Sequence, residues 1–135
     1  MKTLIMDDRA QIAVRELPGD GTPVLFLHDL DCDGTYWTAV VRRLKELAPD
    51  ARILTPDLRG HGASSTGEAP SRKRLVKDCK RLCKELGLDA PLVVGHGIGA
   101  IAKVTLPRQS SCSPQKYECL QGEVQPLHPP SMQAP

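Results

Sequence analysis

Three short strand-like segments, Val24-Leu25-Phe26-Leu27, Arg52-Ile53-Leu54-Thr55 and Leu92-Val93-Val94, do most to constrain the fold of this chain. The first and last are continuous apolar runs without polar alternation, the pattern of strands covered on both faces in a parallel sheet. Segments with helical periodicity lie between and after them, and strand–helix alternation at this spacing defines an α/β architecture. Thr3–Met6 and Gln11–Glu16 read as two further strands, a hairpin joined at Asp7–Ala10. The expectation is a mostly parallel sheet of about five strands with flanking helices.

The first helix is expected from about Thr35, with Trp37, Val40, Val41, Leu44 and Leu47 forming one buried stripe and Pro49 ending it. The second is expected over Ser71–Leu86, with Ser71 as N-cap, Gly87 as the stop, and Leu75, Val76, Cys79, Leu82, Cys83 and Leu86 turned inward. Its outer face carries Arg72, Lys73, Arg74, Lys77, Lys80, Arg81 and Lys84. No nucleic-acid recognition motif accompanies that stripe, so it reads as a solvated face. A third helix begins near Ile98.

At 135 residues the chain has room for one domain with a core. Its net charge of +2 argues for neither nucleic acid nor membrane. No apolar run approaches the ~18 residues of a membrane span, and the N-terminus turns acidic at Asp7 and Asp8 too early for a signal peptide. The expected location is the cytoplasm. Five scattered cysteines suit reduced thiols there; Cys79 and Cys83, one helical turn apart, lack a second ligand pair and read as buried apolar residues. Residues 1–104 form the expected domain. Residues 105–135 hold half of the twelve prolines without sustained periodicity and are expected to be an irregular tail.

Three loops follow strands and carry polar chemistry. "HDLDCDGTYW" (28–37) imitates the start of a calcium loop, but the bidentate glutamate of its twelfth position falls at Val40, so no calcium is expected. "PDLRGHGASS" (56–65) is a tight, glycine-bearing turn in which a lone His61 reads as a surface residue. "VGHGIGA" (94–100) passes from strand to helix through closely spaced glycines. Its spacing does not match a dinucleotide-binding turn, which would need glycine at Ala100.

Taken together and in this order, His28-Asp29, the Trp37 helix, "PDLRGHGASS" and "VGHGIGA" resemble the N-terminal half of an α/β-hydrolase of the esterase and lipase-like class, over about residues 3–104. The resemblance implies a larger, mostly parallel sheet, a Ser–acid–His triad, and hydrolysis of an ester, amide or related bond. It aligns the backbone N–H groups of Leu30 and Ile98 with an oxyanion hole, places His28, Asp29 and His96 in site-lining loops, and puts the nucleophile at position 97. It implies neither cofactor nor metal.

Three departures weigh against catalysis. Position 97 is Gly97, which offers no hydroxyl, thiol or carboxylate to form a covalent intermediate. Asp29 replaces the motif's second glycine, and a carboxylate turned inward there would repel a developing oxyanion. The half of the fold that supplies the acid and the histidine has no counterpart, and Glu118, Glu123 and His128 in the tail lack the strand ends that position a triad. The expectation is therefore a truncated α/β-hydrolase fold, inactive in this form. The alternatives are a binding protein on the same scaffold, taking a small ester-like ligand or a partner, or a truncated or frame-shifted product changed after about residue 104. An apolar edge at 91–95 is expected to stay open and to invite self-association.

Overall fold

The computed structural model describes the backbone of residues 1–105 and the side chains of residues 1–101. Five strands form one sheet: β1 (Lys2–Ile5), β2 (Gln11–Leu17), β3 (Pro23–Leu27), β4 (Arg52–Pro56) and β5 (Leu92–Gly95), in the order β1-β2-β4-β3-β5. The sheet is mixed. β3 runs parallel to both β4 and β5, while β2 is antiparallel to β1 and to β4. The expected parallel character thus holds on the β4-β3-β5 side only, because a short hairpin turn returns β2 against β1 before the first crossover.

The unbroken apolar run of β3 follows from its position between β4 and β5. Leu25 and Leu27 face a cluster containing Leu54, Leu75, Cys79, Leu82 and Val93, whereas Val24 and Phe26 join Trp37 and Ile53 in a second cluster. Alternate side chains therefore serve opposite faces, each covered by helix. All four are buried, and each contributes roughly 1.5–3 kcal/mol of transfer free energy.

A 3₁₀ turn (Gly34–Trp37), capped by the Asp33 carboxylate accepting from the Thr35 N–H, leads into α1 (Thr38–Leu47). Trp37, Val41 and Leu44 pack on the second cluster, and Trp37 lies 5.1 Å from Phe26 between ring centroids. Val40 and Leu47, expected in the same stripe, are exposed instead. At 100° per residue both fall on one flank of the 37–41–44 face, beyond the sheet's reach.

The second helix follows expectation closely. α2 spans Arg72–Glu85, Ser71 Oγ accepts the Arg74 N–H, and Gly87 takes the left-handed conformation (φ +60°) just past its end. Of its outer charges, Lys77 and Arg81 pair with Asp7 in the β1–β2 turn, and Arg81 also with Glu85. Among the described residues β5 pairs with β3 alone, so it is a sheet edge. Leu92, expected to be buried on both faces, is 41% exposed there. The last described element, α3 (Ile98–Thr105), packs beside α2 and β5. Glu118, Glu123 and His128 lie outside the described residues.

Candidate functional site

The three parallel strands β4, β3 and β5 end side by side, which brings the loops after Pro56, Leu27 and Gly95 to one edge of the sheet, where open α/β sheets build their sites. Each loop is fixed by a polar residue just past its strand.

His28 is fully buried. Its Nε2 accepts the Leu58 N–H at 2.8 Å, so the proton sits on Nδ1, which lies 2.7 Å from the Asp29 carbonyl oxygen and donates to it. Burial pushes the imidazole below its usual pKa range and favours this neutral form. Expected as a site-lining residue, His28 is a brace between the two loops, with both ring nitrogens taken.

Asp57 is equally buried. It accepts the Gly34 N–H at 2.8 Å, the Ala63 N–H at 2.9 Å and a guanidinium N–H of Arg15. One carboxylate thus joins the loop after β3, the loop after β4, and β2. Burial alone would raise its pKa, but the bonds from Arg15, Ala63 and Gly34 outweigh burial and hold it below the usual carboxylate value. Arg59 completes the frame. Its guanidinium forks onto both carboxylate oxygens of Asp78 at 2.8 and 2.7 Å and also reaches Asp8 in the β1–β2 turn. Those pairs raise its pKa, the Asp78 bonds most. Asp57 and Arg59 lie in the "PDLRGHGASS" motif, whose pattern does not give their partners, and Asp78 lies outside every motif. The available signal was Asp78, a charge set among the inward residues Leu75, Cys79 and Leu82 of α2, where a buried carboxylate demands a partner.

The glycine turn passes sharply from β5 into α3. Gly97 sits in the left-handed region at φ +51°. The His96 N–H donates to the Leu27 carbonyl at 3.1 Å, tying the turn to β3. A Cβ on Gly95 would meet backbone atoms of Gly99, and one on Gly99 would meet the Leu27 carbonyl, each closer than 3.0 Å. The flanking glycines therefore let strand and helix approach.

The Leu30 and Ile98 N–H groups converge, and Asp29 occupies their meeting point. Asp29 Oδ1 accepts the Leu30 N–H at 2.8 Å and the Ile98 N–H at 2.9 Å. The Ile98 bond, followed by the Leu30 bond, depresses the Asp29 pKa. The other oxygen, Oδ2, is 3.6 Å from His96 Nδ1, and the His96 ring stacks on Tyr36 with centroids 5.6 Å apart. The structure thus brings together Asp29, Leu30, His96, Gly97 and Ile98 and leaves His28 behind them in the interior. Among the described residues no three or more His, Cys, Asp or Glu gather to hold a metal ion, and no helix is long and apolar enough to cross a membrane.

Strand order and the glycine turn after β5 point to a class of fold, and sequence comparison gives the same one. The alpha/beta hydrolase family model matches residues 24–116, and the chain belongs to that family. It is 32% identical over 92 residues to the magnesium-chelatase 30 kDa subunit of Rhodobacter capsulatus, covering 66% of this chain and 31% of that protein. It is 30% identical over 95 residues to the mouse sn-1-specific diacylglycerol lipase ABHD11, covering 69% of this chain and 31% of that protein. The solved epoxide hydrolase VrEH1 of Vigna radiata superposes with a TM-score of 0.67 at 30% identity, over 76% of this chain and 33% of the enzyme. The chain spans about a third of the length of these relatives.

Proposed function

We propose that this chain is a non-catalytic member of the alpha/beta hydrolase family, using the strand-end loops to bind rather than to cleave. One observation carries this reading: the two N–H groups that would stabilise a reaction's oxyanion already bond a resident carboxylate, Asp29. Oxyanion stabilisation depends on donors aimed at charge that develops during reaction. Here the donors face a full negative charge in the ground state, and a substrate carbonyl oxygen placed beside it meets repulsion instead of polarisation. Gly97 adds the second deficit, since no atom at the elbow attacks.

The relative named as a diacylglycerol lipase makes ester-like small molecules the natural class of ligand to examine. Leu30, Tyr36 and His96, all exposed around Asp29, supply the apolar and aromatic surface for such a ligand or for a partner protein. The cytoplasm is the compartment we assign to this activity. The test is steady-state hydrolysis of p-nitrophenyl acetate and butyrate by the purified chain. The expected rate equals that of heat-denatured protein. Turnover above that level would overturn the proposal.

A further inference from the structure

We infer that the inward Asp29 carboxylate and a side chain at position 97 are mutually exclusive: the carboxylate fills the space that such a side chain would need, so the turn locks itself empty. This inference deepens the non-catalytic reading and takes its functional meaning from it.

The argument is steric first. A Cβ built on Gly97 would meet Cγ, Oδ1 and Oδ2 of Asp29, all far inside the 3.0 Å that real Cβ atoms respect. No rotation of a serine or cysteine hydroxyl or thiol relieves a clash at Cβ itself. The carboxylate is the end of a flexible side chain, so it yields by swinging out, and the backbone need not move. Swinging out releases the Leu30 and Ile98 N–H groups together, because one oxygen holds both. Position 97 also keeps its left-handed backbone (φ +51°), which disfavours any residue with a Cβ.

The electrostatic part points the same way. The Ile98 and Leu30 N–H bonds hold Asp29 ionised, and the carboxylate in turn pins the first turn of α3 to the loop after β3. In a turn without a residue-97 side chain, Asp29 is therefore one link between the two loops, beside the His96–Tyr36 stack. Removing it alone leaves Leu30 and Ile98 without their acceptor. Adding a side chain at 97 alone expels it. Making both changes exchanges one arrangement for the other.

Two substitutions that share one space are non-additive, and coupling between contacting residues spans about 2-fold to 150-fold in the folding equilibrium. The test is a double-mutant cycle in urea on the full chain with Asp29→Gly, Gly97→Ser and the pair. The expected result is that the double variant is less destabilised than the sum of the singles, by at least about 5-fold in the folding equilibrium. Additivity within about 2-fold overturns the inference. If a single variant fails to fold, the wild-type chain decides the matter through the backbone amide resonances of Leu30 and Ile98. Both are expected to shift together on acidification, with one shared midpoint below that of an ordinary aspartate, and to lose that shared transition in Asp29→Asn. Amides that do not respond together overturn the inference. Neither readout involves turnover: ester turnover overturns the non-catalytic reading alone, additivity in the cycle overturns this inference alone, and uncoupled amides remove the Asp29 bonds on which both stand.

Discussion

Asp57→Asn is the substitution that most directly loads the frame behind the site. The carboxylate accepts from Gly34 and Arg15 through Oδ1 and from Ala63 through Oδ2. An asparagine has one acceptor oxygen and one NH₂ group. Its better orientation keeps the oxygen on Gly34 and Arg15 and turns the NH₂ against the Ala63 N–H, donor facing donor. The loss of that charge-assisted bond costs about 1.5–3 kcal/mol. The weakened attraction to Arg15, whose side chain is 34% exposed, adds at most about 1 kcal/mol after solvent screening. Urea unfolding should therefore show a loss of about 2–4 kcal/mol with an unchanged denaturant slope. The acid limb supplies a second signature. Because the folded-state pKa of Asp57 is depressed, its contribution is present above the unfolded value of about 3.9 and is lost as pH falls through the folded value. The variant should lose that part of the wild-type decline below about pH 4. A loss under about 0.5 kcal/mol with an unaltered acid limb would refute the frame as described.

Arg59→Met leaves two buried carboxylates, Asp78 and Asp8, without their shared guanidinium and should cost about 3–5 kcal/mol by urea unfolding; Arg59→Met/Asp78→Leu should recover only part of the loss, because Asp8 stays without its partner. Gly99→Ala presses a Cβ onto the Leu27 carbonyl, which belongs to the central strand and has no room to retreat; circular dichroism melts should show a destabilisation of about 1–3 kcal/mol, against near-neutrality for Gly87→Asn at the open end of α2. Leu92→Lys places a charge on the β5 edge and should lower the self-association of the purified chain in light scattering, whereas an unchanged particle size would remove that edge as the contact.

The parts of this molecule that repeat locally were legible in the sequence. β3 showed itself as an unbroken apolar run because both of its faces are covered, and α2 announced its limits through Ser71 and Gly87, whose roles are local chemistry. The elbow was legible for the same reason, since Gly95, Gly97 and Gly99 answer a backbone requirement within a few residues. The frame was not. Asp57 reaches back to Arg15 in β2, and Arg59 reaches Asp8 and Asp78 in two other parts of the chain, so no helical turn or strand period shows which residues they pair with. Periodicity gives the apolar arc of α1 but not how much of it the sheet covers, and Val40 and Leu47 fall outside the covered part. Asp29 stood out as a misplaced carboxylate, yet only the converging N–H groups of Leu30 and Ile98 show what holds it.

Rapid mixing of the purified chain with a saturating p-nitrophenyl ester, followed through the first turnover, tests the central claim most directly. A site whose donors hold Asp29 and whose elbow carries Gly97 should release no burst of p-nitrophenolate. A burst stoichiometric with protein would show that an acyl-enzyme forms and would contradict the account.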